Sequence, residues 1–355
     1  MAKGRFGAPD RAAAVLEAAR RTQAPEREEN LMKALLCTRY GTPDDLVLAD
    51  IADPIPAAGE ALVRVEAAAL NFFDTLIVAG KYQTKPAFPF SPSAEFAGIV
   101  ESLTDGVTSV KVGDRVVGMT GYGAAREKIA VPAAKLVKIP DGLDADRAAG
   151  VSVTYGTTLH ALKDRAKLKA GETLAVLGAS GGTGLAAIEL GKIMGARVIA
   201  CASSADKIAF CRQHGADEGI DYGSEDLKDA LRRLTDGRGA DVIYDPVGGA
   251  FTEQALRAIA WEGRFLVIGF AAGDIPKLPL NLVLLKSCDV LGVFWGAWTE
   301  RDPDGHRANT AQLLAWAAEG KLSSHVHAVY PLSEGPAALK AIAARNVMGK
   351  VILRP

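Results

Sequence analysis

The sequence has 355 residues and a formal net charge of −1, with 49% hydrophobic and 23% charged residues. That length accommodates two domains of ordinary size, and the composition is that of a globular chain with filled cores. The near-neutral charge offers nothing to a polyanion, which excludes nucleic acid as a partner, and no apolar run is long enough to span a membrane.

Residues 1–30 read as an N-terminal extension. Arg11 to Arg21 suits one helix, while Asp10, Glu17, Glu26, Glu28 and Glu29 argue against a targeting peptide, so a solvated tail is expected. Met32-Lys-Ala-Leu-Leu-Cys is a natural first strand. From there to about Ser152 the apolar segments are short. Ala61-Leu-Val-Arg-Val-Glu-Ala alternates as a half-buried strand does, and Phe96-Ala-Gly-Ile-Val-Glu and Asp114-Arg-Val-Val-Gly read the same way. Turn residues such as Asp53-Pro54 and Gly113-Asp114 separate them, giving a barrel-like β pattern. Residues 153–166 form a helical bridge. Cys37, Cys201, Cys211 and Cys288 lie far apart without a C-x-x-C pair, which predicts reduced thiols, a cytoplasmic location and no zinc site of cysteines.

The chemistry is expected where the rhythm changes. Thr173-Leu-Ala-Val-Leu is a buried-strand run, Gly178-Ala-Ser-Gly-Gly-Thr-Gly184 a glycine turn, and 185–194 an amphipathic helix. Strand, glycine turn and helix are the context in which A-x-G-x-x-G (Ala179, Gly181, Gly184) means dinucleotide binding. Small residues allow the turn, Gly181 lets the backbone approach a pyrophosphate, and the helix N-terminus offers its unpaired N–H groups. Further strands are expected at 197–202, 241–244, 264–268 and 290–294, with helices at 205–214, 227–235 and 251–260 between them. That is a doubly wound parallel sheet. Its ligands lie at the carboxyl ends of the strands, where Ser180, Ser203, Pro246 and Gly269 fall. Two more helices, at 313–318 and 337–344, precede a final strand, Lys350-Val-Ile-Leu.

The second strand selects the nicotinamide cofactor. An NAD site places an acid at its end to hold the ribose diol, but this strand ends Ala200-Cys-Ala-Ser-Ser204. Asp206 belongs to the following helix, and Lys207 offers a positive charge one turn on, suited to a 2′-phosphate. The cofactor expected is NADPH.

The chain from Met32 to Leu353 resembles the zinc-independent quinone oxidoreductase branch of the medium-chain dehydrogenase/reductase superfamily. The resemblance rests on Asn71-Phe-Phe-Asp74, Ser93-Ala-Glu-Phe-Ala-Gly98, Gly178 to Gly184, Ala240-Asp-Val-Ile-Tyr-Asp-Pro-Val-Gly-Gly249 and Gly292-Val-Phe-Trp-Gly296, in that order. It implies an α/β protein with a GroES-like β-rich catalytic domain (31–152 and 299–355) and a Rossmann NADPH-binding domain (153–298).

What the resemblance implies for single residues follows by position. Lys207 and Tyr222 match the pair that holds the 2′-phosphate, with Ser203 and Ser204 beside them. Ser180, Gly181, Gly182 and Thr183 match the pyrophosphate loop, and Thr154 a nicotinamide contact. Gly269, Phe270, Phe294, Trp295 and Gly296 match strand ends on the nicotinamide side, where Trp295 and Trp298 offer flat rings for stacking. Asn71 matches a residue near the nicotinamide and Tyr82 lies in the substrate loop; both are expected to position reactants, with no obligatory acid assigned. Zinc-dependent relatives carry ligands where this chain has Asn71, Ala94-Glu95 and Ala149, so no metal is expected. A His325 and His327 pair on one strand face is expected to bind none. Leu76 and Val78 stand where many quinone reductases carry Tyr and Arg, making the substrate loop more apolar.

The expected activity is hydride transfer from NADPH to a quinone in the cleft between domains. The alternatives are reduction of an activated C=C bond in an enal, enone or enoyl thioester, and an NADPH-binding structural or regulatory protein with negligible turnover. The apolar last strand of the sheet predicts a homodimer.

Overall fold

The structure is a computed structural model describing residues 30–355, so the helix expected between Arg11 and Arg21 lies outside the described residues. The described chain divides into two compact units, 30–136 with 329–343 and 352–355, and 137–328 with 344–351. Residues 137–152 and 299–328, assigned to the β-rich domain from the sequence, group with the second unit. Arg147 supplies a physical reason. Its guanidinium donates to the carbonyls of Ser323, Ala317 and Leu322 at 2.9, 3.1 and 3.0 Å, and Ser324 Oγ donates back to the Arg147 carbonyl at 2.7 Å.

In the first unit, β1 (Leu31–Leu36) and β2 (Val47–Ala52) pair antiparallel. The rest is built on β3 (Glu60–Leu70), which pairs antiparallel with β4 (Glu95–Leu103) and β6 (Lys128–Pro132), while β5 (Arg115–Met119) pairs with β4. Alternation in the sequence becomes alternation in burial: Ala61, Val63 and Val65 are buried and Arg64 is exposed. The β3–β4 register slips at two bulges. A Cβ on Gly98 would lie 2.1 Å from the Arg64 carbonyl, so only glycine lets β4 pass there.

The second unit opens with the short β7 (Val137–Lys138) and holds a six-stranded parallel sheet. Its strands are β8 (Thr173–Leu177), β9 (Arg197–Ala202), β10 (Glu218–Asp221), β11 (Ala240–Asp245), β12 (Ile259–Val267) and β13 (Asp289–Gly292), in the order β10-β9-β8-β11-β12-β13. Helices Gly182–Ile193, Ala205–Gln213, Leu227–Leu234 and Ala250–Arg257 intervene, as the period change predicts. All five residues of β8 are buried, as a central parallel strand requires. One face of the sheet buries Ile199, Ile220, Leu231, Ile243 and Phe265 in a single core. The order reverses at β8, which has β9 on one side and β11 on the other, and this switch point opens the crevice where ligands bind in such sheets.

Several details differ from the sequence expectation. β10 is an unexpected strand. The bridge is helix Thr154–Leu159 followed by a wider π-helical stretch, His160–Arg165. The last sheet strand stops at Gly292, and Phe294 instead begins helix Trp295–Arg301. The next helix spans Pro303–Ala318, ten residues earlier than expected, because Asp302 caps Gly305 N and Pro303 occupies the first turn. β14 (Val326–Pro331) and β15 (Lys350–Arg354) then carry the chain between units. No helix among the described residues is long and apolar enough to cross a membrane, and the four cysteines are free and buried.

Candidate functional site

The residues expected to carry the chemistry fall into two groups, one in each unit. In the first, Asn71 starts helix Phe72–Val78 with a reciprocal capping box: Asn71 N donates to Asp74 Oδ2 at 2.7 Å. The Asn71 side-chain amide donates through Nδ2 to Glu95 Oε1 at 3.0 Å. The other oxygen of Asp74 accepts from Ser93 N at 3.0 Å, and Ser93 Oγ donates to the Ala69 and Glu95 carbonyls at 3.0 and 3.1 Å. Ser93 holds a left-handed backbone (φ 69°) to do so. Asn71, Asp74, Ser93 and Glu95 are all buried, so the first two motifs quoted above meet in one polar network inside an apolar unit. Tyr82 stacks on Phe73, the second residue of the same helix, with ring centroids 5.4 Å apart. Burial, then the Asp74 charge, hold its hydroxyl above the ordinary tyrosine range, so it stays protonated at neutral pH. Leu76 is half-buried beside this group, but Val78 is fully buried and belongs to the core, so of the two departures only Leu76 reaches the surface.

In the second unit the glycine turn joins β8 to helix Gly182–Ile193. A Cβ on Gly184 would lie 2.3 Å from the Gly178 carbonyl, so helix and strand pack as closely as the motif predicts. Gly181 is the N-cap and offers no side chain to the first-turn N–H groups, which leaves them to a ligand. Ser180 is buried beside it. Thr154 is buried too, its hydroxyl held by the Gly150 carbonyl at 2.9 Å, and its methyl would sit 3.0 Å from a Cβ on Gly182. Thr183 closes the group, its carbonyl 3.4 Å from Thr158 Oγ1.

At the end of β9, Ser204 caps helix Ala205–Gln213 through Lys207 N at 3.4 Å, and the Lys207 ammonium donates to Ser203 Oγ at 3.2 Å. Tyr222 is pinned to the same corner by its N–H on the Ala202 carbonyl at 3.0 Å, with its ring against Phe251 at 4.3 Å. Burial pushes the Tyr222 hydroxyl up to about 12, with the Arg345 charge pulling the other way. Arg345 is the residue that sequence reasoning missed. Its carbonyl accepts from the Lys207 ammonium at 3.2 Å, and its guanidinium donates to the Ala271 carbonyl at 2.8 Å. The segment after β12 folds against the turn after β11: Ala271 N and Ala272 N donate to Pro246 and Val247 at 3.0 and 2.8 Å, which places Gly269 and the half-exposed Phe270 there. Asp245, read as part of a family motif, is structural; it accepts from Val247 N, Gly248 N and Thr252 Oγ1 at 2.8, 2.9 and 2.6 Å.

The aromatic residues expected at a strand end are displaced. Phe294 is 65% exposed, Gly296 has open space around it, and Trp295 is buried against Gly156, where a Cβ would lie 2.7 Å from the indole ring. Trp295 Nε1 is buried without a hydrogen-bond partner, an orphaned donor beside the Thr154 helix. One face of Trp298 is taken by His160, on which it stacks at 4.2 Å. His325 precedes β14 rather than sharing a strand face with His327, because its carbonyl instead takes Lys350 N at 3.0 Å. Among the described residues, no group of three or more His, Cys, Asp or Glu is placed to hold a metal ion.

A GroES-like β unit and a doubly wound unit with an uncapped glycine turn define a two-unit dehydrogenase/reductase of the medium-chain architecture. The Alcohol dehydrogenase GroES-like domain family matches residues 57–141, and the Zinc-binding dehydrogenase family matches residues 182–318. The chain is 38% identical to a Quinone oxidoreductase-like protein 2 homolog of Nematostella vectensis, covering 90% of this chain and 88% of the relative. It is 34% identical to a Quinone oxidoreductase of Pseudomonas aeruginosa, covering 92% and 100%. The structure of Escherichia coli quinone oxidoreductase complexed with NADPH superposes with a TM-score of 0.83 at 27% identity, covering 92% of this chain and 99% of that one. The chain belongs to the quinone oxidoreductase branch of the medium-chain dehydrogenase/reductase superfamily and is an oxidoreductase.

Proposed function

We propose that the protein is an NADPH-dependent reductase that passes hydride to a quinone without a metal ion. The observation that carries the reading is the corner after β9, where Lys207, Tyr222 and Arg345 converge and the strand runs out into two serines rather than an acid. Two cations and a phenol suit a 2′-phosphate, which carries nearly two negative charges. The NADPH in the Escherichia coli relative supports the same choice. The uncapped glycine turn would take the pyrophosphate, and Thr154, Gly269, Phe270, Trp295 and Gly296 would border the nicotinamide.

Bound NADPH supplies the hydride. The chain's own task is to bind, orient and protonate. Glu95 fixes the orientation of the Asn71 amide through the 3.0 Å bond, so that amide is preorganised before any substrate arrives. Tyr82, held protonated, would give a proton to the quinone oxygen as charge develops there, completing a hydroquinone. A quinone spreads that charge through its conjugated ring, which fits a site without a metal or a Ser/His/Asp set.

We also propose a homodimer formed along β13. That strand is the edge of the parallel sheet, and Leu280, Leu284, Leu285 and Phe294 near it are exposed, Leu284 by 78%. A monomeric mass in solution overturns this.

The test is cofactor oxidation by the purified protein, followed by absorbance, with NADPH or NADH against a quinone and a matched enone or enal. Faster NADPH oxidation with the quinone is the expected result. Activity only with the enone or enal moves the protein to C=C reduction. Tight NADPH binding with no turnover makes it a binding protein.

A further inference from the structure

The helix that follows the glycine turn carries a buried acid that the proposed reaction does not use. Glu189 accepts from Tyr155 Oη at 2.9 Å, His214 Nδ1 at 3.1 Å, Ser323 N at 3.1 Å and Ser323 Oγ. His214 meets His325 edge-to-face, with ring centroids 5.2 Å apart, and Phe210 packs on both rings at 4.5 and 5.1 Å. The remaining titratable group acting on His325 is His327 on β14; Lys350 meets His325 through its backbone N–H, which donates to the His325 carbonyl at 3.0 Å, while its stem lies along Gly150 and Gly182.

This cluster is one contact from the dinucleotide turn. Gly349 has a left-handed backbone (φ 89°), and a Cβ there would lie 2.9 Å from the His325 ring and 2.6 Å from its carbonyl. Gly349 N in turn donates to the Ser180 carbonyl at 3.0 Å and bridges to Gly181. The imidazole therefore backs the backbone that holds the turn closed.

We infer that neutral His325, buttressed by His214 and Glu189, positions Gly349 against Ser180 and so sets the affinity for the dinucleotide, which falls when His325 takes up a proton. His325 is half-buried, so an imidazolium there would be partly desolvated and would face His214 and His327, with only Glu189 opposing the penalty; moving away from Gly349 relieves it. Burial, then His214 and His327, lower the proton affinity of His325 below its ordinary value of 6.5. The sign follows: the packed arrangement is fully favoured above 6.5 and is lost progressively as pH falls below it towards the depressed value. Reciprocity requires bound NADPH to lower the proton affinity of His325 further.

The inference rests on the NADPH reading above. The test uses the full chain, with NADPH dissociation constants from its fluorescence between about pH 8 and about pH 5, for the natural protein and His325→Gln. The 2′-phosphate titrates in the same range, so the variant isolates the histidine. The dissociation constant of the natural protein is expected to rise about fivefold more than that of the variant. Histidine ring resonances of the unsubstituted, isotope-labelled protein provide a second readout, with His325 titrating lower when NADPH is bound. Equal pH slopes and an unmoved His325 titration, with NADPH still bound at pH 8, overturn this inference alone. No NADPH binding at any pH overturns the cofactor reading and this one with it.

Discussion

Lys207 and Arg345 are 138 positions apart in the chain, yet the Lys207 ammonium donates to the Arg345 carbonyl at 3.2 Å. That bond brings Arg345 to the Lys207 corner, where the Arg345 charge also acts on Tyr222, so two cations from distant segments of the second unit meet there. Each charge-assisted contact to a phosphate contributes about 1.5–3 kcal/mol, or roughly tenfold to a hundredfold in affinity. Lys207→Ala and Arg345→Ala are each expected to lower the NADPH-over-NADH preference in kcat/KM by about that factor, with NADH turnover little changed. An unchanged ratio in both variants removes the 2′-phosphate assignment.

The glycines of the site separate into those that pack and those that do not. Gly184→Ala drives a Cβ to 2.3 Å from the Gly178 carbonyl, while Gly296→Ala meets nothing within 4 Å. The first is expected to cost about 3 kcal/mol or to abolish folding, and the second to leave the melting temperature unchanged. Equal melting temperatures for the two would contradict the close helix–strand packing.

Asn71→Ala removes a donor from a buried carboxylate. The expected loss is about 1–3 kcal/mol of stability in a denaturant titration. Quinone turnover should fall by at least about tenfold as the amide's orienting role disappears. A variant of natural stability would mean that Glu95 does not depend on the 3.0 Å contact.

Tyr82 makes a prediction about pH. Its hydroxyl is held above the ordinary tyrosine value near 10, so the proton is retained through the neutral range and is lost only as pH rises beyond that value. Turnover limited by proton delivery should therefore be flat up to about pH 10 and decline above it. Tyr82→Phe should lower kcat by roughly a hundredfold without changing the NADPH dissociation constant. A descending limb well below pH 10 that survives in Tyr82→Phe would assign the proton elsewhere.

Dialysis against a strong chelator is expected to leave quinone turnover unchanged, because no group of three metal-ligating side chains is assembled among the described residues. Activity lost on dialysis and restored by Zn²⁺ would overturn the metal-free reading.

Much of this organisation was legible in the residue pattern. The glycine turn reads as strand, turn and helix because its signals are local, whereas Asn71-Phe-Phe-Asp74 stood out only as a family motif and its helix start emerges from the structure, although side chain and backbone lie just three residues apart. β10 was not legible: Glu218-Gly-Ile-Asp lacks a β-branched run and is a strand because β9 offers it a free ladder. Helix Trp295–Arg301 was hidden by aromatic residues that suit either element. Arg345 and the His214–His325 pair were out of reach for another reason. Their meaning lies in contacts between distant segments, and nothing in Ala-Ala-Arg345-Asn or Ser-His325-Val announces a partner.

The edge strand β13 is only four residues long and opens on Asp289, whose acid is exposed. An open backbone ladder does not discriminate by itself between a folded copy and an unfolded strand. Shortness and a charge at the entrance restrict what can add to it: a long sticky segment gains few bonds and meets a carboxylate first, whereas a rigid matching surface can bring its own apolar side chains to the leucines nearby. If the proposed dimer forms along this edge, the same features would favour a folded copy over fibril growth, and replacing Asp289 with an apolar residue is expected to shift the balance towards fibrils.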